Sequence, residues 1–199
     1  PDYRRIRQLI GLLSDAMPIL ATTATANDRV VADVLAYMGE GVELIRGALA
    51  RDGLRLINLE ISSREERYAW LAEHIPDFPG SGIIYTLTVP DAQRLASWLQ
   101  SQDIDSEAYF ADLDGKDGHA REELEQRLLA NEIKVLVSTV ALGMGFDKPD
   151  LGFVIHYQRP ASVVHYYQQV GRAGRGIEKA MWMLMHGKED ERISQYFIN

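Results

Sequence analysis

The sequence has 199 residues with 46% hydrophobic and 25% charged side chains, the composition of an ordinary globular chain with room for a sizeable core. A net charge of −8 argues against a protein that coats nucleic acid through bulk electrostatics, so any such contact has to be local. The absence of cysteine excludes disulfides and cysteine-ligated zinc or iron–sulfur sites, and fits a reducing, cytoplasmic setting.

In chain order, "PDYRRIRQ" opens the sequence with neither an initiator methionine nor the apolar stretch of a signal peptide, which reads as a piece of something longer. No later run approaches about 18 apolar residues, so no membrane contact is expected. "PILATT" (18–23) is the first strand candidate, and the hydroxyl-rich turn "TTATAND" (22–28) follows it into a helix, with Thr25 or Asn27 suited to cap free amides. "VELIRG" (42–47) is a second apolar stretch, and the glycine- and charge-bearing "GALARDGLR" (47–55) reads as a linker.

Beyond it, strands are expected at "LRLINLEI" (54–61), "GIIYTL" (82–87), "KVLVST" (134–139), "GFVIHY" (152–157) and "AMWMLM" (180–185). Between them, Ala92, Leu95, Ala96 and Leu99 mark one helical face and Ala120, Leu124 and Leu128 another, with Asp91 and Asp117 near the helix starts. Strands alternating with amphipathic helices give an α/β fold built on a parallel sheet. In such sheets ligands sit beyond the carboxyl ends of the strands, so the loop "TTATAND", the loop "TVALGMGFDKPD" (139–150) and the helix after "GFVIHY" are expected to meet on one edge.

That last helix ends in "QQVGRAGR" (168–175), where Arg172 and Arg175 stand among Gly171, Ala173 and Gly174. Small residues admit a close ligand and guanidinium forks suit phosphate oxygens, so a polyphosphate is the first candidate. The usual polyphosphate cradle, a glycine-rich loop ending in Gly-Lys-Ser or Gly-Lys-Thr, occurs nowhere in the sequence. Taken alone, Gly-Arg-x-Gly-Arg is more often a flexible basic loop. The histidines at 74, 119, 156, 165 and 186 lack metal-site spacing and read as packing or surface residues.

These segments fall in the order and spacing of the later motifs of superfamily 2 helicases, and most closely resemble the RecQ family. "TATA" (23–26) resembles motif III, "GIIYTLT" (82–88) motif IV, "STVALGMGFDKPD" (138–150) motif V and "QQVGRAGR" motif VI, while "PDYRRI" is similar to the segment after motif II. The resemblance covers nearly the whole chain. It implies a RecA-like sheet of the P-loop NTPase type with helices on both faces: residues 51–199 as the second helicase lobe, and residues 1–50 as the remnant of the first. It implies ATP and Mg²⁺ as cofactors, both held mainly by a first lobe whose phosphate loop and Asp-Glu pair precede Pro1, and single-stranded or partly duplex DNA as partner.

By the same resemblance, Arg172 and Arg175 contact the γ-phosphate from across the cleft, with Arg175 as the arginine finger. Gln168, Gly145 and Asp147 serve the nucleotide, Thr86, Thr88 and Thr139 touch the single strand, and Thr23 and Thr25 couple the two events. A turn aspartate before Lys-Pro and a sheet-bonded strand threonine are the plain readings of Asp147 and Thr86. Two departures from the family stand out. The sequence reads "YFADL" (109–113) where many members have tyrosine-histidine-alanine-glycine, and it ends 24 residues after Arg175 with no zinc-binding cysteines. A non-catalytic docking module and an RNA-directed motor are the alternatives. Residues 18–23 and 42–47 read as strands that lack their first-lobe neighbours, and because such bare edges invite pairing, residues 1–50 are expected either to pack as an appendage on the second lobe or to associate with the same segment of another copy.

Overall fold

The computed structural model describes residues 12–13, 17–23, 27–39, 41–47, 54–114, 119–139, 142, 146–160, 162–171, 176–177, 180–187 and 190. The chain divides into two compact units, residues 1–50 and 51–199. The boundary falls in the glycine- and charge-bearing stretch between the apolar runs.

In the first unit, helix α1 spans Asp28–Met38 and is capped by Asn27, whose Oδ1 accepts from Val30 N at 2.9 Å. Residues 18–23 and 42–47 carry neither helix nor strand, contrary to the sequence expectation. Apolar composition marks a segment that pairs when neighbours are present, and a strand without a ladder leaves its amides and carbonyls unmet. The bare strand edges invoked for self-association are therefore not formed.

The second unit is a six-stranded, wholly parallel sheet in the order β1-β6-β5-β2-β4-β3. Its strands are β1 (Leu54–Glu60), β2 (Gly82–Tyr85), β3 (Ser106–Tyr109), β4 (Val135–Ser138), β5 (Phe153–His156) and β6 (Ala180–His186). The helices are α2 (Arg64–His74), α3 (Val89–Ser101), α4 (Ala120–Leu129) and α5 (Val163–Val170). Five strands were legible as β-branched or aliphatic runs. β3, "SEAY", was not, because an edge strand of four residues needs little apolar side chain; Ser106 instead buries its hydroxyl on the Ala96 carbonyl at 2.9 Å.

Side chains alternate across the sheet and build two cores. Ile84, Val137, Ile155 and Met183 face Leu71 of α2 and the Ala92, Leu95, Ala96 and Leu99 stripe of α3. Ile83, Leu136, Val154 and Trp182 face Leu124 and Leu128 of α4 and Tyr166 of α5. Helices thus cover both faces, as a parallel sheet requires. α2 begins with a capping box in which Ser63 and Glu66 exchange bonds. α3 begins at Thr88, with Asp91 in its first turn rather than at the cap.

Candidate functional site: the carboxyl edge of the sheet

Because every strand of the sheet is parallel, the ends of β1, β2, β4, β5 and β6 deliver Ile61, Thr86, Thr139, Tyr157 and Gly187 to one edge. Two buried polar side chains organise the turns there. Gln158 accepts from Leu87 N at 2.9 Å and donates Nε2 to Asp91 Oδ2 at 3.0 Å, joining the β5 turn to the β2–α3 loop. Asp91 also accepts from the Thr88 hydroxyl at 2.8 Å and from Arg94 at 2.8 Å. Burial would raise the Asp91 carboxyl, but the bonds from Gln158, Thr88 and Arg94 outweigh it and hold the group below the usual carboxylate range.

Arg67 is the second organiser. Its Nε donates to Ile61 O at 2.9 Å, and Nη1 to Tyr157 O at 2.8 Å and Asp190 Oδ1 at 3.0 Å. Nη2 completes a forked pair with Asp190 Oδ2 at 3.2 Å, which also accepts from Gly187 N at 3.0 Å. One guanidinium therefore fastens the ends of β1, β5 and β6. A Cβ at Gly187 would fall 2.5 Å from Ile61 O and 2.7 Å from Arg67 Nη2, so only glycine lets the strand ends come this close.

The expected site residues separate by place. Thr86 is buried, its hydroxyl donates to Thr88 O at 3.2 Å and its N–H to Ser138 O at 2.9 Å, so its side chain braces the loop. Thr88, half-buried, caps α3 by accepting from Asp91 N at 3.2 Å. Thr139 lies at the same edge, with its N–H on Tyr109 O at 3.1 Å. Thr23 lies exposed in the first unit and Asn27 supplies the helix cap there. Arg172, Arg175, Gly145 and Thr25 lie outside the described residues, and Gln168 lies in α5.

The loop "TVALGMGFDKPD" does not stay at this edge, as the sequence reading expected. It leaves β4 at the carboxyl edge and enters β5 at the amino edge, roughly 13 Å away for strands of four residues. Asp147 is exposed and precedes, in sequence, the residues of that far end. Beside it, buried Lys148 donates to Asp150 Oδ1 at 2.7 Å, and Asp150 Oδ2 accepts from Asn131 at 2.9 Å. Those bonds, Asn131 first, hold the Asp150 carboxyl below its ordinary range. Gly176, just past the arginine segment, donates to Pro149 O at 2.7 Å, so the ends of both loops are stitched together.

α5, which carries "QQV", is tied to β5. His156 Nε2 donates to Gln169 Oε1 at 2.8 Å, while its ring lies 5.5 Å from Tyr85 and 5.0 Å from Tyr166. Burial lowers the His156 pKa to about 4, so the imidazole is neutral near pH 7. Sequence reading missed Arg67, Gln158, Gln169 and Asp190. His156 carried the available signal: a polar residue inside an apolar strand must find a buried partner.

This architecture meets a known family. The helicase conserved C-terminal domain matches residues 66–176, from α2 to the end of the arginine segment. The chain belongs to that helicase family. Within it, the chain is 34% identical over 218 residues to the ATP-dependent DNA helicase RecQ of Synechocystis, covering 100% of this chain and 44% of the relative. It is 38% identical over 201 residues to a putative ATP-dependent DNA helicase Q1 of Caenorhabditis elegans, covering 95% and 31%, and 30% identical over 200 residues to RecQ of Bacillus subtilis, covering 100% and 33%. The chain thus spans less than half the length of these curated relatives. Among solved structures, Saccharomyces cerevisiae Dbp5 bound to RNA and ADP BeF3 shares the fold with a TM-score of 0.74 at 21% identity, over 98% of this chain and 51% of that one. A DEAD box protein from Methanococcus jannaschii does so with a TM-score of 0.65 at 21% identity, over 98% and 52%. The helicase lobe is thus RecA-like in fold, as its sequence implies.

Proposed function

We propose that this chain is the C-terminal motor lobe of a RecQ-type, ATP-dependent DNA helicase, with residues 1–50 the tail of the first lobe. The observation that carries the reading is the family match running through α5 to Gly176 and enclosing "QQVGRAGR". Phosphoryl transfer needs positive charge where its transition state gathers negative charge. Arg172 and Arg175 supply that charge, and they complement a phosphate cradle on another lobe. ATP and Mg²⁺ are held there; among the described residues of this chain no group of three His, Asp or Glu side chains is placed to hold a metal ion.

In this reading Gln168, Gly145 and Asp147 serve the nucleotide, Thr23 and Thr25 transmit closure, and Thr88 and Thr139 meet the single strand at the carboxyl edge. Thr86 supports that contact from beneath, since its hydroxyl is spent on Thr88 O. Hydroxyls and main-chain amides position a strand without reading bases, which suits a chain of net charge −8.

The test is Arg175→Ala in the full-length protein. We expect ATP hydrolysis to fall by ~10³ or more with nucleotide binding largely kept, because the finger acts in the transition state. Normal hydrolysis would remove Arg175 from the mechanism. Stronger stimulation by single-stranded DNA than by RNA of equal length is expected; the reverse would make the protein an RNA-directed motor.

A further inference from the structure

We infer that His156 is a positioning residue for the motif VI helix: through Gln169 it sets the rotation of α5, and with it the place of Gln168 and of the arginine segment that follows. This rests on the reading of "QQVGRAGR" as the transition-state face of the lobe.

α5 has eight residues, and among its described side chains Tyr166 also meets the sheet through aromatic contacts, tilting against His156 and stacking on Trp182 with centroids 5.9 Å apart. Ring faces slide over one another at little cost, whereas a hydrogen bond weakens steeply once its angle opens. Among the described contacts of α5, the 2.8 Å bond between buried His156 and buried Gln169 is thus the one that fixes rotation rather than mere proximity. Its direction is set by chemistry. Gln169 presents Oε1, so the neutral imidazole carries its proton on Nε2 and leaves Nδ1 as a lone pair, which has no hydrogen-bond partner among the described residues.

Gln169 is the residue after Gln168 and three before Arg172. On a helix whose side chains reach roughly 6 Å from the axis, about 10° of rotation carries a side-chain tip about 1 Å. A misplacement of about 1 Å costs on the order of 10² in rate when positioning is the catalytic device. β5 is a central strand, flanked by β6 and β2, so the anchor stands on the most rigid part of the sheet.

The experiment measures ATP hydrolysis by the full-length protein with saturating single-stranded DNA, per folded molecule, with thermal denaturation followed in parallel. Gln169→Met keeps length and removes the acceptor; His156→Phe keeps the ring and removes the donor; Gln169→Glu keeps an acceptor. We expect the first two to lower kcat by roughly 10- to 100-fold with KM for ATP moved less than about threefold, and the double variant to be no slower than the worse single one. Gln169→Glu should keep kcat within about threefold of the parent. The inference is overturned if kcat of Gln169→Met is unchanged, if Gln169→Glu is as slow as Gln169→Met, or if the single effects multiply in the double variant. Arg175→Ala is the reference. If it is slow and Gln169→Met is not, this inference alone fails; if it too is normal, the motif VI reading fails and takes this one with it.

Discussion

At the scale of single residues, the side chains that organise the edge are those whose partners lie far along the sequence. Arg67 meets Asp190 and Tyr157, and Gln158 meets Asp91 and Leu87. Nothing near Arg67 in "SREERYAW" separates it from an ordinary surface arginine of a helix. His156 was legible only as a packing or surface histidine, and its titration gives a prediction. Its folded pKa is lowered to about 4 from an ordinary 6.5, and Tyr85, Tyr166 and Gln169 around it are uncharged at neutral pH. Above pH 6.5 the group is neutral in both states and the native state keeps its full stability. Between 6.5 and 4 the unfolded chain takes a proton that the folded one refuses, so stability falls by about 1.4 kcal/mol per pH unit, on the order of 3 kcal/mol in all. Denaturant titrations at pH 7 and 4.5 should therefore show parent and His156→Phe converging, with the parent losing about 2 to 3 kcal/mol more. Equal losses would show that the imidazole is not held neutral.

At the scale of elements, what needed the structure was how strand ends are tied. The apolar stripe of α3 could be read directly, because Ala92, Leu95, Ala96 and Leu99 recur at helical spacing, and all four are buried. The course of the motif V loop could not: only strand order and direction carry residues 148–152 to the amino edge, where a Cβ on Gly152 would sit 1.7 Å from Pro79 O. The Arg67–Asp190 pair is the corresponding device at the carboxyl edge, and both side chains are 3% exposed. Breaking it with Arg67→Ala leaves a buried carboxylate without its partner and should cost about 3 to 5 kcal/mol. Arg67→Met with Asp190→Leu removes both charges and should recover most of that loss, seen as a partial return of Tm. A double variant no more stable than Arg67→Ala would mean that the tie itself, and not the orphaned charge, sets the stability.

At the scale of the whole molecule, both hydrophobic clusters draw all their members from residues 57–185, within the second unit. A fragment of residues 51–199 should therefore fold cooperatively, with near-ultraviolet circular dichroism and a single denaturant transition; a broad, non-cooperative transition would show that its core is incomplete. The described residues of the first unit have the opposite character, with Leu20 at 87% and Ile45 at 86% exposure and no buried side chain on α1. The sequence by itself determined the α/β class, five of the six strands, both amphipathic helix faces and the motif order that leads to the helicase family. Those are local or periodic signals, written in spacing and residue type, and they survive without knowledge of neighbours. Only the tertiary structure decided that residues 18–23 and 42–47 carry no strand, that Thr86 spends its hydroxyl inward, and that His156, Gln169, Arg67 and Asp190 pair. Each depends on which distant groups a buried polar atom meets, and a buried donor or acceptor is satisfied by geometry, which sequence spacing does not encode.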